Sequence, residues 1–66
     1  MAFHIIGDKG TDAIKAIRLL PASAAVLAMK WVAQAVERVR IEIDGRSYGP
    51  DAFRREFLYN RQRRRL

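Results

Sequence analysis

Between residues 22 and 39 hydrophobic positions outnumber polar ones thirteen to five, and the polar residues Ser23, Lys30, Gln34, Glu37 and Arg38 are not scattered. On a helix turning about 100° per residue they share an arc of roughly 100° and leave about 260° apolar. A surface helix shows a single apolar stripe, so this pattern predicts a central helix that needs cover on two sides. Alanines at Ala24, Ala25, Ala28, Ala33 and Ala35 accept either burial or exposure. The demanding residues are then Val26, Leu27, Met29, Trp31, Val32, Val36 and Val39. Met29, Val32, Val36 and Val39 line up as a core stripe. Leu27 and Trp31, one turn apart beside the polar arc, are surplus to it and form the candidate protein interface.

The flanking segments have other periods. Phe3-His4-Ile5-Ile6 reads as a short edge strand, and Gly7-Asp8-Lys9-Gly10 as the turn after it. Thr11 or Asp12 can cap a helix whose Ile14, Ile17 and Leu20 recur at three-residue spacing. Pro21 ends that helix and suits the first turn of the next. Val39-Arg40-Ile41-Glu42-Ile43 alternates apolar and charged residues and runs into Asp44-Gly45, a two-residue hairpin signal. That turn pairs Ile43 with Arg46, Glu42 with Ser47 and Ile41 with Tyr48. Gly49-Pro50-Asp51 opens a last helix with Phe53 and Phe57 on one face.

The pattern therefore predicts a small single α+β domain in the order β-α-α-β-β-α, with the hydrophobic helix central. Its core draws on Ile5, Ile14, Ile17, Leu20, Val26, Met29, Val32, Val36, Ile41, Ile43, Phe53 and Phe57. The competing reading continues the central helix through Val36, Val39 and Ile43 to a cap at Gly45, which gives an all-α three-helix bundle.

Composition then narrows the function classes. A chain of 66 residues buries a small core and is marginally stable alone. Without cysteine, and with His4 as its only histidine, it has neither disulfides nor a thiolate metal site to compensate. Association is the remaining remedy. The net charge is +6, but residues 61–66 carry four arginines and leave +2 for the first sixty. This divides the chain into a compact domain over 1–60 and a basic tail over 61–66. No basic-then-apolar start suggests a secretion signal, and the apolar run from Leu19 to Met29 is shorter than a membrane span and contains Pro21. A cytoplasmic location is the expectation.

Catalytic chemistry is hard to assemble. His4 is isolated, Ser23, Ser47 and Thr11 have no neighbouring base, and each carboxylate has a simpler role as a turn, cap or ion-pair residue. Gly7-Asp8-Lys9-Gly10 lacks the length and the Lys-Ser/Thr ending of a phosphate loop. No enzyme, cofactor, metal or small-molecule substrate is expected. Arg54, Arg55, Arg61, Arg63, Arg64 and Arg65 can track phosphates, and Tyr59 can stack on a base, so non-sequence-specific contact with nucleic acid or another polyanion is the leading role for the C-terminus. No motif for reading bases is present.

The expected function is a non-enzymatic assembly module, a homo-oligomer or a part of a larger protein assembly, joined through its central helix. One alternative is an accessory or inhibitor protein whose arginines meet an acidic surface on a protein target. Another is a small membrane-associated subunit. Ile43-Asp44-Gly45-Arg46-Ser47, followed by a helix and an arginine-rich end, is similar to the small head–tail joining proteins of tailed bacteriophages. That family looks like helix, hairpin, helix and basic tail and acts within the virion connector, and the similarity covers about the last third of the chain. Here the second strand is shorter, and the Phe3–Ile6 strand and the helices split by Pro21 depart from the pattern.

Overall fold

The computed structural model describes residues 2–59, without the side chain of Tyr59. Strands β1 (Phe3–Lys9) and β2 (Asp12–Arg18) form an antiparallel hairpin, with Lys9 opposite Asp12 across the two-residue turn Gly10-Thr11. Gly10 takes φ +64° at the first central position, as a type II′ turn requires. Helix α1 (Pro21–Ala33) crosses to β3 (Glu37–Ile43), which turns through Asp44-Gly45 into β4 (Arg46–Tyr48). A short helix α2 (Pro50–Arg54) continues into a π-helical turn over Arg55–Tyr59. The sheet is antiparallel throughout, with strand order β2-β1-β3-β4.

This is a small α+β domain and not a three-helix bundle. The expected order fails in one place, because residues 12–18 are a strand and not a helix. In Asp12-Ala13-Ile14-Lys15-Ala16-Ile17-Arg18 the apolar residues repeat every three positions, which resembles a helical stripe. As a strand, the segment puts Ile14 and Ala16 on one face and Ala13 and Ile17 on the other. A strand with one neighbour buries neither face fully, so the two-residue period does not show. The expected turn at Gly7-Asp8-Lys9-Gly10 shifts with it: Gly7, Asp8 and Lys9 stay in β1, and only Gly10 lies in the turn.

The second hairpin forms as its turn residues dictate. Ile41 faces Tyr48, Glu42 faces Ser47 and Ile43 faces Arg46, with Asp44 and Gly45 both at positive φ, the requirement of a type I′ turn. From α1 onward the order is helix, hairpin, helix. The hairpin is not freestanding, however, since β3 pairs along β1.

α1 begins at Pro21, in its first turn, as expected, but ends at Ala33 instead of near Val39. The Ala35 amide donates to the Val32 carbonyl and the Val36 amide to the Trp31 carbonyl, both at 3.0 Å. Ala35 sits between them at φ +65°, so these bonds form a Schellman cap with alanine where glycine is usual. Three residues later Arg38 is also left-handed, at φ +53°. There the β1–β3 register slips: Ile6 faces Arg40 but Asp8 faces Glu37, so Arg38 and Val39 together oppose Gly7. This β-bulge turns both Val36 and Val39 inward, where an unbroken strand would send them to opposite faces. Gly7 makes it possible, because a Cβ there would lie 2.6 Å from Val36 Cγ1.

Both helices cover the same face of the sheet. The core holds Phe3, Ile5, Val36, Val39, Ile41 and Ile43 from the strands and the loop before β3, Ala24, Ala25 and Ala28 from α1, and Phe53 from α2. Ile14 and Phe57 pack against it partly buried. Ile17, Leu20, Val26, Met29 and Val32 are exposed and do not belong to the core; Phe3 and the three alanines replace them, and Val39 is buried as its place in the stripe predicts. Phe3, Tyr48, Phe53 and Phe57 form an aromatic cluster under α2. Phe53 stacks on Phe57 at 4.6 Å, and Phe3 meets Phe53 edge-on at 5.4 Å.

Two substitutions test these backbone devices by urea denaturation. Ala35→Gly relieves a left-handed alanine and raises unfolding free energy by about 1 kcal/mol. Gly7→Ala drives a methyl into Val36 and lowers it by about 1–3 kcal/mol. An unchanged midpoint in either variant contradicts the corresponding device.

Candidate protein interface

Helix α1 meets the sheet with its smallest side chains. Ala24 and Ala28 are fully buried and Ala25 nearly so, over β1 and β3. The larger residues point elsewhere: Val26 is 69% exposed, Val32 48% and Met29 40%. On a helix of about 100° per residue, Met29, Ala22, Ala33 and Val26 share an arc of roughly 60° before Lys30 and Ser23 restore polarity, and Val32 lies about 60° to the other side of Met29, past the direction of the buried Ala25. The helix is therefore apolar on both sides, with alanines inward and valines and methionine outward. The outward side has no cover among the described residues.

Leu27 and Trp31, the interface candidates from sequence, are half-buried and pack against the core cluster. Helical periodicity found the apolar arc but ranked its halves by side-chain size, which points to the wrong side when the contact is made by alanine. Further apolar surface extends from the N-terminal end of the helix, where Leu19 and Leu20 are 72% and 64% exposed in the β2–α1 connection. Arg18, Ala22, Ser23, Val26, Leu27 and Lys30 line a shallow groove between β2 and α1.

The cationic candidates are only partly in view. Arg54 is half-buried at the end of α2, and Arg55 is exposed at the start of the π-helical turn. Arg61, Arg63, Arg64, Arg65 and the side chain of Tyr59 lie outside the described residues. On the sheet face opposite the helices, charges of both signs mix. Arg38 pairs with Asp8 and Arg40 with Glu42, each at 3.5 Å, with Arg38 strongly exposed and the other three side chains partly so. Exposed pairs of this kind add little stability.

His4 sits on that open face between Ile17 and Glu42, and its Nδ1 is shielded from solvent without a hydrogen-bond partner among the described residues. Among the described residues no three His, Cys, Asp or Glu side chains gather as a metal site, and no helix is long and apolar enough to cross a membrane. No protein-family model, curated protein or solved structure matches the chain.

The division of α1 into a buried small-residue face and an exposed large-residue face has a direct energetic test. Measured at concentrations where the protein is dilute, Ala28→Leu overfills the helix–sheet contact and costs about 1–3 kcal/mol. Val26→Ser, on the outward face, stays within about 0.5 kcal/mol of the parent. The reverse ranking contradicts the assignment of the two faces.

Proposed function

We propose that this protein is a non-enzymatic assembly module, joined to its own copies or to a larger protein assembly through the outward face of α1. Its arginine-rich C-terminus contacts nucleic acid or another polyanion. One observation carries the reading: α1 spends alanine on its own core and presents Val26, Met29 and Val32 to the outside. Each side chain of this size gains about 1.5–3 kcal/mol on full burial, so covering the three together supplies a useful fraction of an interface. A contiguous apolar patch of large residues on a small domain marks a contact surface more often than a solvated one. Leu27 and Trp31, on the same helix and partly packed against the core, would form the supported edge of that contact.

The polyanion role follows from charge placement. Four of the six net positive charges lie in residues 61–66, just after Arg54 and Arg55. Contacts to phosphate release counterions, which makes affinity fall steeply with salt and makes it independent of sequence.

Two measurements test the two halves separately. Light scattering behind size-exclusion chromatography, with the full chain, should show association that weakens by at least about tenfold in a Val26→Lys, Met29→Lys double variant, as expected when two apolar contacts become buried cations. Anisotropy titrations of random-sequence duplex DNA across a salt series should show tight binding at low salt. Deleting residues 61–66 should reduce the log–log salt slope by about 3 to 4, the contribution of four phosphate contacts. Association unchanged by the lysines, or DNA binding unchanged by the deletion, removes that half of the proposal.

A further inference from the structure

The edge of β2, unpaired among the described residues, carries a pattern that fits its own copy. β2 is an outer strand of seven residues, whereas the opposite edge, β4, has three. Counted from the two-residue turn, the closing pair Lys9–Asp12 exchanges backbone hydrogen bonds, and bonded positions then alternate along the hairpin. Asp12, Ile14, Ala16 and Arg18 direct their backbone groups to β1, which leaves those of Ala13, Lys15 and Ile17 pointing away from the sheet. The Ile17 carbonyl shows this directly, since it accepts a bond from the exposed Arg18 guanidinium at 2.8 Å and not from a strand. A long edge with free backbone groups, no proline and apolar residues on both faces is a template for another strand.

Symmetry restricts how two copies can meet. Antiparallel strands related by a two-fold axis place opposite residues on the same face, so one residue must lie opposite itself. With Lys15 at the axis, the whole strand overlaps and every outward-pointing backbone residue is used. Asp12 then faces the second copy's Arg18, Ala13 faces Ile17, and Ile14 faces Ala16. Acid meets base at both ends, and small meets large at each position between. Lys15 meets its equivalent on the face without helices, a like-charge contact that opposes the pairing and that the two end ion pairs outweigh. Shifting the register by two residues in either direction loses the two end ion pairs and shortens the overlap.

We infer that β2 pairs with β2 of a second copy of this chain, antiparallel about Lys15, so that two four-stranded sheets join into one eight-stranded sheet. Charge and size complementarity along Asp12–Arg18 carry the inference, and it rests on the reading of the protein as an association module. The groove between β2 and α1, with Arg18, Val26 and Leu27 on its walls, then flanks the new strand pair on the helix side. Val26, strongly exposed, lines that groove.

The test is a charge exchange, read by sedimentation equilibrium from low micromolar to high micromolar concentration. Asp12→Arg and Arg18→Asp each place like charges opposite one another twice per dimer, and each should weaken dimerisation by about tenfold. The double variant restores the pairing in reverse and should recover most of the affinity. Lys15→Pro, verified as folded by circular dichroism, removes an outward N–H without touching the β1 ladder and should leave a monomer. Single reversals with no effect, or a double variant no better than the singles, overturn strand pairing. A dimer insensitive to all of these changes but lost in the Val26→Lys, Met29→Lys variant also overturns it, and leaves the α1 contact standing. A wild-type chain that stays monomeric over the whole range overturns self-pairing outright.

Discussion

The contact between α1 and the sheet is made by alanine, and the rest of the fold follows from it. Ala24, Ala25 and Ala28 add no bulk beyond Cβ, so the helix can lie close over β1 and β3 with Phe3, Ile5, Val39 and Ile41 filling the sheet side. Close-packed interiors tolerate little change in volume at such a contact. A short chain has little apolar surface to bury, and this one divides it into two zones. Under α1 the core is thin and built on alanine. Under α2 it is thick and built on Phe3, Tyr48, Phe53 and Phe57. Residues too large for the thin zone are left outside, and the exposed face of α1 results.

Joining a close-lying helix to the sheet requires a sharp exit, and the connecting segment shows its cost. Ala35, Arg38 and Asp44 all adopt positive φ within ten residues, and none is glycine. Left-handed geometry costs an L-residue on the order of 1 kcal/mol, less for Asp. The gain is positional. The cap at Ala35 reverses the chain, the bulge at Arg38 brings Val36 and Val39 to the same side, and the Asp44-Gly45 turn sets the last strand so that Tyr48 reaches the aromatic cluster. Gly7 completes the arrangement from β1, because the space its missing side chain leaves is the space Val36 occupies.

What could be read from the sequence was what local chemistry decides. Asp44-Gly45 specified its turn and, through it, the full pairing register of β3 and β4. Pro21 and Gly49-Pro50 marked the starts of both helices, and the spacing of Phe53 and Phe57 placed one inside and the other beside it. What could not be read depended on partners distant in the chain. β2 is a strand because β1 offers it a ladder, while its own three-residue repeat favours a helix. The α1 face that meets the sheet was hidden for a related reason: periodicity defines an arc, but only the packed neighbour decides which part of it is inside. Leu27 and Trp31 were singled out as surplus by size, and the structure places them at the margin of the core. Most of the basic C-terminus lies beyond the described residues, so its role rests on charge alone.

The absence of cysteine makes the orientation of α1 directly measurable, because a single introduced thiol has no competitor. Ala28→Cys and Val26→Cys, each with small volume changes, can be compared by their rates of modification with a thiol reagent in dilute native solution. With the alanine face inward, a thiol at position 26 reacts nearly as fast as in the unfolded chain, and one at position 28 reacts only through unfolding, slowed by orders of magnitude. Equal rates at the two positions, or faster reaction at 28, would show that α1 does not meet the sheet through its alanine face.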